Sequence, residues 1–143
     1  MLYIEAHRND VNQTGIPSQG APATPVIYTT WAGDELSQFN GTRYTAKYAG
    51  MRHIAAFSAF LSLPEYSVCS MFLVRNGTGI VRTYGVAPEQ YYAGAAYYPA
   101  PHPISIPLYM AIGDWFEIQV TQESGSDQDL VGKYRVTRLQ IEG

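Results

Sequence analysis

The sequence predicts an all-β sandwich. β-branched and aromatic residues dominate its periodic stretches, with 12 Tyr among 143 residues, and such side chains suit a pleated, half-buried surface. Gly (13) and Pro (9) punctuate the chain at short intervals, giving strand-like segments about ten residues apart. No stretch keeps the i, i+3, i+4, i+7 spacing of an amphipathic helix through three turns.

Taken in order, Tyr3 to Arg8 reads as a first strand. Val11 to Pro25 is rich in Gly, Pro, Ser and Gln and reads as a loop; residues 1–25 are this first strand plus long loop, or a link to an upstream stalk. Val26 to Trp31 reads as a second strand, ended by Ala32-Gly33-Asp34. Arg43 to Tyr48 alternates polar with aromatic residues, as a strand with one wet face should. Met51 to Leu63 is apolar on both alternating sides: His53, Ala55, Phe57, Ala59 and Leu61 share one, while Ile54, Ala56 and Phe60 share the other with Arg52 and Ser58. A strand apolar on both sides is buried on both sides. In a two-sheet sandwich one side meets the core, so the other calls for a second subunit. A buried helix is the alternative for this run, which its alanines permit.

Val68 to Arg75 and Ile80 to Tyr84 flank Asn76-Gly77, a strong hairpin signal. Gly85 to Pro103 loses all periodicity and carries Tyr91-Tyr92 and Tyr97-Tyr98. Ile104 to Met110 and Trp115 to Val120 are strands joined around Gly113-Asp114. Glu123 to Asp129 is a polar turn, and Tyr134 to Ile141 is the last strand. Residues 1–143 form one domain, the expected size for a chain of this length.

Bulk properties agree with an oligomer. Hydrophobic residues make up 46% of the chain and charged ones only 15%, against about 25% on average. So neutral a surface is best removed from water in an interface. Net charge is −3 and the basic residues are scattered, so no cluster suits a phosphate backbone and nucleic acid is not an expected partner. The longest apolar run is too short to span a bilayer, and the first residues lack the apolar stretch of a secretion signal. Cys69 stands alone, so no internal disulfide can form; it reads as a buried structural thiol.

The order of these elements resembles the complement globular-head/tumour-necrosis-factor-like jelly roll over roughly residues 26–143. Four features carry the likeness: Phe39 to Gly50 feeding a long central strand, the hairpin at Leu73 to Gly77, the Gly113-Asp114 turn between Leu108 and Val120, and a short C-terminal strand. The family's Phe-Ser-Gly-Phe-Leu ending is replaced here by Arg135 to Ile141, and Met51-Arg52-His53 stands where aromatics are usual. The chain is more similar to the trimeric knob domains of bacteriophage tail needles, fibres or spikes.

The resemblance implies a jelly-roll homotrimer on a virion tail appendage, acting outside the cell. Its expected partners are copies of itself, an upstream fibre stalk and a host cell-surface glycan or protein. The residues expected at the trimer interface are His53, Ala55, Phe57, Tyr109 and Phe116.

No catalytic signature is present: no Gly-x-Ser-x-Gly elbow, His-Glu-x-x-His or Cys-x-x-Cys. Neither enzymatic activity nor a cofactor is expected. His7, His53 and His102 have no local partner at metal spacing; packing explains His53 more simply than ligation. Asp127 and Asp129 read as a solvated turn, because calcium wants six or more oxygens, so no metal is expected. The candidate ligand site is the aromatic loop, with Tyr91, Tyr92, Tyr97, Tyr98 and His102, since tyrosine offers a sugar ring both a face and a hydroxyl. The same rings could instead cover the end of the sandwich or pack between subunits. Two other readings stay open: a lectin-like carbohydrate-binding module, and a cap that only holds a trimeric stalk in register.

Overall fold

The computed structural model describes residues 2–18, 23–87 and 98–143. All regular elements there are strands: β1 (Tyr3–His7), β2 (Gln13–Ile16), β3 (Thr24–Pro25), β4 (Thr30–Ala32), β5 (Arg43–Thr45), β6 (Gly50–Phe57), β7 (Val68–Arg75), β8 (Thr78–Val86), β9 (Ile104–Met110), β10 (Trp115–Gln122), β11 (Gln128–Leu130) and β12 (Arg138–Glu142). No helix among the described residues is long and apolar enough to cross a membrane.

Two sheets face each other. One runs β4-β1-β12-β6-β9; the other runs β3-β10-β7-β8, with β5 also paired to β10. A small third ladder joins β2 to β11. Every named pairing is antiparallel. Between the sheets lie Ile4, Ala6, Ile54, Ile104, Leu139 and Ile141 from the first and Tyr44, Met71, Leu73, Phe116, Ile118 and Val120 from the second, all buried. Strict alternation along each strand puts these residues inside.

The hairpin between β7 and β8 forms as expected. Asn76 and Gly77 both have positive φ, 49° and 85°, as a two-residue primed turn requires. Asn76 then stitches that turn to the next one. Its Nδ2 donates to Asp114 Oδ1 at 2.9 Å, and its Oδ1 accepts from the Trp115 amide at 2.9 Å. Asp114 Oδ2 accepts from the Ala111 amide and from Arg75, while Gly113 turns the chain at φ 87°. The Gly-Asp signal is thus a clasp between the β7–β8 hairpin and the turn that carries the chain from β9 in one sheet to β10 in the other.

Several expected boundaries shift. Val26 to Thr29 is not strand: Val26 donates to Ile118 on β10 and Thr29 to His7 on β1. The segment crosses from one sheet to the other, so no single ladder holds it, and only β4 remains of the expected second strand. The expected loop 11–25 contains β2 and β3. Buried Arg8 and Gln13 organise it: Arg8 Nε donates to Val11 O at 2.9 Å, and Gln13 Nε2 donates to Pro25 O at 3.0 Å. The central run is strand only to Phe57; beyond it the backbone leaves the β12 and β9 ladders, and the Phe60 and Leu61 amides donate to Pro99 and Asp129 instead. Nor does the run form the alternative helix.

Arg52 faces the core and is 1% exposed. Its Nε donates to Tyr44 Oη at 2.8 Å and its Nη2 to Tyr48 O at 2.8 Å, and its guanidinium lies 4.3 Å from the Tyr48 ring centroid. Tyr44 Oη passes its own proton to Gln38 Oε1 at 3.1 Å, an oxygen that also accepts from the Lys47 amide. Both ends of this chain can only donate, so its bonds converge on the Gln38 carbonyl oxygen.

Candidate functional site

The outward face of β6 and β9 is the first candidate. Alternation turns Met51, His53, Ala55 and Phe57 out of β6, and Ser105, Pro107 and Tyr109 out of β9. Register sets Met51 against Tyr109, His53 against Pro107 and Ala55 against Ser105. Pro107 is tolerated because β9 is an edge strand and needs no amide there. Met51 and Tyr109 are each 54% exposed. The polar link here is a 3.3 Å hydrogen bond between Ser105 Oγ and His53 Nε2. A hollow of about 620 Å³ lined by Leu2, Tyr3, Met51, His53, Glu142 and Gly143 opens on the same face. On the neighbouring strands the face turns polar: Tyr3 and Tyr134 both donate to Glu5, and chiefly the Tyr134 bond holds that carboxyl below its usual range.

Of the residues expected at an interface, this face gathers His53, Ala55, Phe57 and Tyr109. Phe116 is a correction. It is 1% exposed, lies on β10 in the other sheet, and packs on Tyr44 with ring centroids 5.4 Å apart. Its neighbour Trp115 takes the outward position, so Phe116 has no surface for a second subunit.

A second candidate lies at the far end of β6. Leu2 and Gly143 exchange backbone hydrogen bonds of 2.7 and 3.0 Å, so both termini meet beside the start of β6. Seven residue steps of about 3.3 Å carry the strand about 23 Å away. There Phe57, Ser58, Tyr98, Pro101, Pro103 and Arg135 line a cavity of about 290 Å³. Lys133 stands 5.4 Å from the Tyr98 ring centroid, and its hydrogen bond with Tyr98 raises the lysine's pKa. Arg138 lies 4.4 Å from the Phe57 centroid.

Of the expected ligand residues, Tyr98 lines this cavity. His102 is exposed and its amide bonds Tyr84 O at 3.0 Å. Tyr91, Tyr92 and Tyr97 lie outside the described residues. The basic residues are less scattered than the sequence reading had it: three of the nine Lys and Arg residues, Lys133, Arg135 and Arg138, fall within six positions. That local density was the available signal, hidden because the segment read simply as a last strand.

Among the described residues, no group of three or more His, Cys, Asp or Glu could hold a metal. Asp129 Oδ1 accepts from the Gly15 amide at 3.3 Å, a structural use within the β2–β11 ladder.

No family model matches the chain, and no curated protein matches it in sequence. Solved structures do. The globular domain of zebrafish complement 1qA protein is similar with a TM-score of 0.66 at 13% identity, over 99% of this chain and 96% of that one. Murine APRIL at pH 5.0 gives 0.66 at 11% identity, over 99% and 98%. Eiger TNF from S. frugiperda gives 0.60 at 10% identity, over 98% and 90%. The chain has the jelly-roll fold of complement 1q and tumour-necrosis-factor domains.

Proposed function

We propose that this chain is the non-enzymatic head of a trimeric virion appendage, a knob on a phage tail needle, fibre or spike that contacts the host cell surface. One observation carries the self-association: β6 and β9 turn Met51, Ala55, Phe57, Pro107 and Tyr109 outward, with Met51 and Tyr109 more than half exposed and no Asp, Glu, Lys or Arg among the outward positions of these two strands. A copy of the same chain is the occupant that this neutral strip suits, and the fold supports a threefold arrangement through its resemblance to trimeric heads. With Leu2 beside Gly143, a stalk joining at either terminus leaves the Tyr98 end pointing away from it. Three copies then offer three weak contacts at once, and avidity multiplies them. A buried interface also supplies stability to a domain without disulfides.

The test is the mass of the purified domain in solution, followed through serial dilution by light scattering. A trimer that persists on dilution is expected. A monomer at all concentrations overturns the reading and leaves a monomeric sugar-binding sandwich in its place.

A further inference from the structure

We infer that the cavity at the Tyr98 end is a binding site for an acidic sugar, a pyranose ring carrying one anionic oxygen group. The inference deepens the proposed role and rests on it only for biological purpose, since the site lies within one chain. The cavity is walled by Tyr98, Pro101, Pro103 and Phe57, flat apolar surfaces of the kind that cover a sugar's C–H face. Its volume of about 290 Å³ lies at the small end of ligand pockets, the scale of a small ring rather than an extended chain.

Charge selects the anion. The chain is net negative, yet Arg135 lines this cavity and forms no ion pair with any described residue; the ion pairs among the described residues, Arg43–Glu117 and Arg75–Asp114, involve the other sheet. Lys133 and Arg138 stand on either side against the Tyr98 and Phe57 rings. Glu5 acts on Arg138 and Asp10 on Lys133 through space, which leaves Arg135 as the cation of this cavity that no described carboxylate pairs with. A planar guanidinium with free donors suits a carboxylate or phosphate in two-point contact.

The experiment titrates the isotopically labelled 143-residue protein with glucuronate, glucose 6-phosphate, glucose and an acidic dipeptide, following amide and aromatic NMR signals. A ring held by one stack and one ion pair is expected to bind with Kd on the order of 1–10 mM. One or both acidic sugars should shift signals of Phe57, Tyr98 and Arg135, and which of them does so separates a carboxylate from a phosphate source. Glucose should shift them at least about tenfold more weakly. R135E and Y98A should abolish the shifts, while R135K restores part of the affinity without the two-point contact. Equal response to glucose, response to the dipeptide alone, or silence towards both acidic sugars overturns the site. Solution mass is read on the same samples, so a silent trimer sinks the site alone, whereas a monomer that binds sinks the trimeric head alone.

Discussion

The two sheets share a core but differ on their outer faces. On the β10–β7–β8 side the exposed rings are capped from within. Arg43 lies 3.6 Å from the Trp115 centroid while its Nε and Nη2 donate to Glu117 at 3.0 and 2.9 Å. Gln119 donates to the other Glu117 oxygen. Arg82 lies 4.3 Å from the Tyr84 centroid and 4.9 Å from that of Phe72, and donates to Ser70. Snorkelling cations thus let aromatic rings face water. Along β6 and β9, Met51 and Tyr109 have no such cover. The rings of one face carry cations of their own chain, and on the other only Phe57, under Arg138, does.

The largest effect should come from a charge in the bare strip. Ala55 sits mid-face between Gln140 and Ser105, and A55E would bury an unpaired carboxylate in any assembly. We expect association weakened by about 3 kcal/mol or more per copy, seen as a shift from trimer to monomer in sedimentation. F72E on the capped face should leave the mass unchanged. If both variants stay trimeric, the contrast between the faces does not mark an interface.

A smaller effect tests the capped side. R43A removes both the stack on Trp115 and the pair with Glu117, and should lower urea stability by about 1 kcal/mol with no change in assembly. Loss of the trimer in R43A would show that the interface lies on this sheet instead.

Next comes the acid limb. The hydrogen bond from Asn76, then those from Ala111 and Arg75, hold Asp114 down to about 2 from 3.8. A folded carboxyl depressed in this way contributes stability above its unfolded pKa and loses it as pH falls through the folded value. Denaturation midpoints should therefore drop between about pH 4 and 2 in the parent, and less steeply in D114N. An identical slope in both would remove the clasp from the account.

The smallest effect is chemical. Burial pushes the Cys69 thiol up to about 11 from 9.0, so at pH 8 its thiolate is about a hundredfold scarcer than in an unfolded chain. Iodoacetamide should label it at that rate or slower until denaturant is added; prompt labelling of the folded protein would contradict the buried placement.

The sequence made legible what depends on local rules. Alternation showed the doubly apolar run that became β6, and Asn76-Gly77 marked the hairpin between β7 and β8. Phe116 escaped because two aromatics in succession, Trp115 and Phe116, leave the parity of β10 open until its partners are known. Val26 to Thr29 looked like a strand because β-branched residues also suit an extended crossing between sheets. The polar run 11–25 looked like a loop because its order comes from Arg8 donating to the Val11 and Ile27 carbonyls and Gln13 to that of Pro25, which no period records. The cationic end of the fold depended on Tyr98 meeting Lys133, 35 positions away.

The pairing of Leu2 with Gly143 also decides how the domain bears load. β1 lies between β4 and β12, paired with β12 along its length and with β4 from Glu5 to His7. Tension drawn along the N-terminus, with the opposite end anchored, stretches those bonds together in shear. Tension that pulls the two termini apart peels β1 from β12 one bond at a time. A head tethered through a single terminus would therefore resist force far better than the same head pulled through both.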